Sequence, residues 1–244
     1  MYSFRTNTNT STSTGSVDLA FTDRYGGVSA MPFAELNLSV SGPDDEKTKK
    51  RNHRILMKDF APDDRLADLY QVHGNDVVQA TPGFRPEADG IVTDEAGITL
   101  MVRAADCVPV LLADPAAGVI GAAHAGRKGV QLGVVTATIE RMRSLGAESI
   151  TAWIGPHICK HCYEVGQAVQ DEVAAVEPKT RFDRWVNSHA LDLEAGVTAQ
   201  LHRAGVTVDV SAVRCTLMEP DLYSFRRDGQ DAGRLAGIIR MAPR

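Results

Sequence analysis

Apolar residues fall along this chain in short blocks of two kinds, some continuous and some at helical spacing. VDLAFT (17–22) reads as a first strand and gives way to the glycine-bearing turn RYGGVS. Leu132, Val135, Ile139 and Met142 recur at helical spacing and predict a helix over 130–145, ended by Gly146. Charge order predicts another over 43–58: Pro43 suits the first turn, Asp44, Asp45 and Glu46 follow, and Lys49, Lys50, Arg51 and Arg54 lie nearer the end. Two more helices are expected over 166–177 and 192–204, the second capped by Asp192 and stopped by Gly205. Segments 66–72 and 76–80 read as paired strands around the tight-turn composition His-Gly-Asn. Segments 98–103 and 108–113 flank Asp106-Cys107, and Pro109, which has no N–H to donate, predicts an edge or bulge. Strands over 118–123, 149–154, 206–217 and 236–241 complete the pattern. Strands and helices mix without clean alternation, which predicts an α+β or mixed α/β fold rather than a barrel.

No repeat or long linker divides the 244 residues, so a single domain is expected over 17–244, behind a Ser/Thr/Asn-rich tail over 1–16 expected to be disordered. A hydrophobic content of 43% supplies a sizeable core. The net charge of −5 argues against nucleic acid or an anionic membrane as the main partner. No apolar run approaches the ~20 residues of a membrane span. The opening lacks the apolar centre of a secretory signal, and four cysteines are too few for a disulfide framework, so a reducing cytoplasm is expected.

The candidate chemistry lies at strand ends. His73, Cys107 and His124 each end or border an apolar run. Two imidazoles and a thiolate delivered from three strand ends would make a three-ligand zinc site with one position open, an arrangement suited to catalysis. Spacing alone leaves the bland reading standing, because a turn histidine and a cysteine among apolar residues are commonly structural. After His124, Ala125-Gly126-Arg127-Lys128-Gly129 joins a strand to a helix and is a candidate anion cradle, or else an ordinary glycine loop. Cys159 and Cys162 form a CxxC without a second such pair. It reads as a structural corner first, and as a second metal or copper site or a redox pair after that. No histidine is followed two residues later by glutamate, which argues against the zinc-deaminase signature.

Read together, FTDRYGGVS (21–29), QVHGNDVV (71–78), ADGIVTD (88–94), ADCVPVLLAD (105–114), GAAHAG (121–126), IGPHICKHCYEVG (154–166) and YSFRRDGQDAGR (223–234) resemble the laccase-domain family. That family is also called multicopper polyphenol oxidase-like, peptidoglycan editing factor or purine nucleoside phosphorylase. The resemblance covers nearly the whole chain after the tail. It implies two mixed β-sheets packed as a sandwich with helices on the outer faces, a fold shared with a cysteine-deamidase toxin domain. It implies a catalytic zinc on His73, Cys107 and His124, with purine nucleosides and phosphate as substrates. Adenosine, inosine, guanosine and methylthioadenosine would be phosphorolysed to base and sugar 1-phosphate, and adenosine deaminated. Arg127-Lys128 departs from the Trp-Arg common after His-Ala-Gly in the family, and Ala104 from a common threonine.

Other readings of the same residues are a cysteine hydrolase acting on cell-wall peptide precursors, with Cys107 as nucleophile and His124 as base, a copper-dependent polyphenol oxidase, and a binding module without turnover. Against the oxidase, the chain has seven histidines and no H-x-H. Asp106 is a candidate proton carrier or a turn-capping residue, and Arg24, Lys128, Arg226 and Arg227 are candidate anion contacts. Oligomeric state is not legible.

Overall fold

The computed structural model describes residues 1–8, 15–186 and 188–241. In chain order the elements are β1 (Tyr2–Thr8), β2 (Val17–Thr22), α1 (Glu46–Phe60), β3 (Arg65–Asp68), β4 (Val77–Gln79), β5 (Gly90–Thr93), β6 (Ile98–Ala104), β7 (Val108–Asp114) and β8 (Val119–Ala125). Then come α2 (Arg127–Leu132), α3 (Val134–Ser144), β9 (Thr151–Ile154), α4 (Gln167–Val176), β10 (Arg181–Trp185), β11 (Ser188–Leu191), α5 (Leu193–Arg203), β12 (Thr207–Asp209), α6 (Phe225–Asp228) and β13 (Leu235–Met241).

Two mixed sheets form, in the orders β1-β2-β13-β6-β3 and β12-β9-β7-β8-β5-β4, with β10-β11 as a separate hairpin. Strand alternation explains the layering. Leu19, Phe21, Leu100, Val102 and Ile239 of the first sheet share one core with Leu111, Ala113, Ile120, Ala122 and Trp153 of the second. The intervening residues point outward: Ala20, Met101 and Ile238 meet Leu56 and Phe60 of α1. On the far side Val110, Leu112 and Ala123 meet Val135, Ile139, Val197 and Leu201 of α3 and α5. Both faces of the central strands are covered, so they read as continuous apolar runs. The result is the expected mixed α/β sandwich with outer helices. Phe21 fits between the sheets because Gly155 lies against its ring, where a Cβ would come within 2.3 Å.

Four expectations need correction. Residues 2–8 of the expected disordered tail form β1, antiparallel to β2, because Phe4 reaches the inter-sheet core and Tyr2, Thr6 and Thr8 suit a strand; residues 9–14 of that tail lie outside the described residues. The single helix expected over 130–145 is two, divided at Gly133, whose φ of 79° breaks the helix. Only Thr207–Asp209 of the strand expected over 206–217 pairs. Pro109 lies in a central strand rather than at an edge or bulge. It stands second in β7, in register with His124, just before the β9 pairing begins at Val110.

One further correction positions the site. Segments 66–72 and 76–80 do not pair with each other. β3 runs parallel to β6 in the first sheet, and β4 runs parallel to β5 in the second. The chain around His73 is therefore a crossover between sheets. The Ala105–Cys107 link from β6 to β7 is another crossover, and the parallel β3 and β6 deliver both to the same end of the sandwich.

Candidate metal centre

His73, Cys107 and His124 meet at that end. One nitrogen from each imidazole and the Cys107 sulfur all lie within 4.8 Å of one another. Cys107 Sγ and His73 Nε2 are 3.8 Å apart, and the two imidazoles stand edge to face at 79°. His124 is buried near the end of β8, Cys107 is half-buried and His73 is exposed, so the group sits at a mouth rather than in the core.

Among the described residues, the two non-glycine positions with positive φ are His73 at 62° and Asp106 at 94°. Both belong to the crossovers. Such backbone is costly and persists where surrounding contacts over-determine it. Asp89 supplies those contacts for His73: its Oδ2 accepts the amides of Val72 at 3.1 Å and Gly74 at 2.7 Å, clasping the turn on both sides. Thr216 Oγ1 and the Arg226 amide donate to the two oxygens of Asp106, each at 2.6 Å. Asp106 therefore holds the turn that presents Cys107, which is the capping role.

Asp89 is fully buried just before β5, and no reading of the sequence gave it a role. The only signal was its place in the ADGIVTD run. Its Oδ1 accepts Nδ1–H of His124 at 2.7 Å, which leaves Nε2 of that ring toward Cys107, and its carbonyl accepts the His124 amide at 2.8 Å. A carboxylate behind a histidine in this way orients metal ligands. Burial raises Asp89, but the His124 hydrogen bond and the Gly74 amide outweigh it and hold the carboxyl below its usual range.

The electrostatics of the trio are those of a thiolate and an imidazolium. Burial pushes the Cys107 thiol up; the charge of His124 and hydrogen bonds from both imidazoles bring it down to about 6. Burial pushes His124 down; the Cys107 sulfur and Asp89 carry it up to about 9. A bound cation would replace the proton between them.

The donor set fits a metal. Two imidazoles and one sulfur are borderline-to-soft ligands, and one tautomer is already fixed by Asp89. Gly126 lies against the group, where a Cβ would come within 2.8 Å of the His73 ring and 3.1 Å of Cys107 Sγ. Glycine there leaves the donors room to converge.

The trio opens on a cavity of about 700 Å³. Tyr163, Phe225, Gln71, Arg103, Arg226 and Arg234 are among its walls. Arg226 was expected as an anion contact and lies here, 5.2 Å over the Tyr163 ring. Arg234 was missed; its guanidinium faces the charges of Cys107 and Asp106. The Lys128 cradle does not form at the cavity: Lys128 is exposed and outside the lining, on a helix of six residues. Arg24 stacks over Tyr223 and donates to the Ala34 carbonyl, and Arg227 donates to the Thr216 and Leu222 carbonyls. Those two are structural. His157 is buried and its Nδ1 donates to the Gly155 carbonyl at 2.9 Å.

Known proteins share this architecture. Residues 18–242 match the family described as multi-copper polyphenol oxidoreductase laccase. A purine nucleoside phosphorylase of Streptomyces coelicolor is 47% identical over 226 residues, covering 90% of this chain and 93% of its own. One from Deinococcus radiodurans is 44% identical over 238 residues, covering 94% and 91%. Among solved structures, the Neisseria meningitidis protein NMB0706 superposes with a TM-score of 0.86 at 31% identity, covering 98% of this chain and 99% of that one. YlmD from Geobacillus stearothermophilus gives 0.84 at 32%, covering 93% and 92%. On these matches, the chain belongs to the multi-copper polyphenol oxidoreductase laccase family.

Proposed function

We propose that the chain is a zinc-dependent purine nucleoside phosphorylase of the cytoplasm, with His73, Cys107 and His124 as both ligands and catalytic centre. The observation that carries it is the convergence of two imidazoles and one sulfur within 4.8 Å at the edge of a cavity of about 700 Å³. A cavity of that size suits a nucleoside. The names of its Streptomyces and Deinococcus relatives support the choice of substrate.

His73, Cys107 and His124 would hold a divalent ion, which would supply Lewis-acid polarisation of bound substrate. The chain does the rest. Asp89 fixes His124 in one tautomer and orientation. Tyr163 and Phe225 offer rings for a purine face. Arg226 and Arg234 bring positive charge where phosphate must enter. Asp106, anchored by Thr216, sets the position of Cys107. Phosphate attack at the sugar C1′ of adenosine, inosine, guanosine or methylthioadenosine then gives base and sugar 1-phosphate. Adenosine bound in the same cavity would be deaminated by water, which replaces the C6 amino group and releases ammonia. Zinc is preferred over copper because catalytic zinc takes three protein ligands of the histidine and cysteine kind with one position left open, and among the described residues no methionine stands in the cavity lining as the axial ligand of an electron-transfer copper site.

Zinc-loaded protein mixed with inosine and phosphate is expected to release hypoxanthine and ribose 1-phosphate, and with adenosine to yield inosine. Zinc-loaded protein that does neither would overturn the proposal. A second reading, a cysteine hydrolase, is favoured by one observation: Asp89 holds His124, and His124 brings a ring nitrogen within 4.8 Å of the Cys107 sulfur. Peptide hydrolysis that survives chelation and stops on alkylation would replace the first reading with this one. Phenol oxidation restricted to copper-loaded protein would mark a side reaction.

A further inference from the structure

A second convergence of donor atoms lies outside the cavity. The sulfurs of Cys159, Cys162 and Cys215 all lie within 4.8 Å of one another. No sequence spacing announced Cys215, which arrives 56 positions after Cys159 on a separate loop. None of the three is in a disulfide, and all are half-buried.

The two loops have the same local design. The Cys159 carbonyl accepts the amides of Cys162 at 2.9 Å and Tyr163 at 3.0 Å. The Cys215 carbonyl accepts the amides of Met218 at 3.2 Å and Glu219 at 3.1 Å. In each case these are the residues three and four positions on. The Cys159 amide donates to Cys215 Sγ at 3.5 Å, so the first turn reaches the sulfur of the second. Two such turns face to face are how paired knuckles present four ligands to one ion. Here the first turn is Cys-x-x-Cys and the second is Cys215-Thr216-Leu217-Met218. Met218 occupies the sequence position equivalent to Cys162, and it is 70% exposed rather than packed in the core.

We propose that Cys159, Cys162 and Cys215 form a second metal site, for a thiophilic closed-shell cation and preferentially cuprous copper. Three thiolates with a thioether in the fourth position of the motif are a softer set than structural zinc uses, and soft sulfur donors select cuprous copper. The site is a staple. His157 N–H donates to Arg214 and Thr216 N–H donates back to His157, each at 3.0 Å, so the loops already lie side by side. Both also grip Asp106: Thr216 through its hydroxyl and Ile158 through its amide, which donates to the Asp106 carbonyl at 3.0 Å. An ion across the three sulfurs tightens the frame behind the Cys107 turn without entering the cavity.

The test uses the full chain with Cys107→Ser, which removes the thiolate of the first centre, purified under reductant and stripped of metal. Cuprous ion is offered in competition with bicinchoninate, and zinc in a parallel arm with a chromophoric chelator. One equivalent is expected to bind, to protect Cys159, Cys162 and Cys215 together from iodoacetamide, and to raise the melting temperature. Adding Cys162→Ser should weaken binding at least about 100-fold, more than loss of an outer-shell partner does. Tighter cuprous binding supports the proposal in full. Tighter zinc binding keeps the site and overturns the choice of ion. If neither ion protects the three thiols, or if Cys162→Ser changes neither affinity nor protection, the site does not exist. Should the serine variants fail to fold, thiol protection in the otherwise unmodified chain decides the same question.

Discussion

Two charged clusters border the same cavity, and their polar atoms are directed differently. In one, Arg103 and Asp68 are buried together. Arg85 grips both oxygens of Asp68, at 2.9 and 2.8 Å. Arg103 Nε donates to the Leu38 carbonyl at 2.6 Å, and its Nη2 donates to His53 Nε2 at 3.1 Å as well as to Asp68. These bonds direct the Arg103 guanidinium at acceptors of the protein and tie α1, β3 and β6 together, although Arg103 also borders the cavity. In the other, Asp89 fixes the far side of His124 and the turn around His73, so that two ring nitrogens and a sulfur face one another. Satisfaction of the outer atoms is what leaves the inner ones available. The difference separates charge that holds the fold from charge that meets a ligand, although residue types alone look equally functional in both.

The comparison is broken most severely at Cys107. Cys107→Ser should cost the chain its metal at the first centre and lower kcat/KM by at least about two orders of magnitude, since outer partners alone are worth 10–100-fold. Metal analysis beside steady-state kinetics on one sample checks this, and the melting temperature should change little. Arg103→Met tests the other cluster. Asp68 would keep Arg85 but lose its buried partner, which should cost about 1–3 kcal/mol, read from denaturant midpoints, and the further change Asp68→Leu should recover part of it. A double variant as unstable as the single one would mean that this network is more than a paired charge.

Asp89→Asn falls between the two clusters. It keeps the shape and the contact with the turn amides, but it weakens the hold on His124. Metal affinity should fall about 10–100-fold with the fold retained. Unchanged affinity would show that His124 is oriented by packing alone.

The smallest effect is one of pH. Burial, then the charge of Arg103, lower His53 from 6.5 to about 4. The geometry agrees, because Nδ1–H donates to the Lys49 carbonyl while Nε2 accepts from Arg103, which requires a neutral ring. The unfolded chain takes up this proton first as pH falls. Stability from His53 is therefore full above about 6.5 and is lost progressively toward about 4. Urea midpoints between those values should slope in the native chain and slope less in His53→Gln.

Much of the fold was legible because it follows from local rules. Helices α4 and α5 appear where they are expected, Asp192 accepting the Ala195 amide and Gly205 turning with a φ of 69°, whereas α1 begins at Glu46 rather than Pro43, because the Asp45 side chain accepts the Thr48 amide and caps it there. Strands β2, β6, β7, β8 and β13 were visible as apolar runs, since sheets covered on both faces need them. The error that bears most on the site arose where pairing is non-local. His-Gly-Asn has hairpin composition, yet β3 and β4 belong to different sheets, because each completes a parallel pair that no local signal encodes.

The sequence by itself determined which residue types stand beside the apolar runs: His73, Cys107 and His124, each after or within a run whose burial is set by its own composition. Only the tertiary structure decided that two of those ends are crossovers arriving at one end of a sandwich, that Asp89 stands behind both histidine segments, and that Cys215 joins Cys159 and Cys162. The physical reason is range. Propensity, capping and periodicity act over a few residues, whereas the meeting of donors 34, 35 or 56 positions apart is fixed by how two sheets pair and pack.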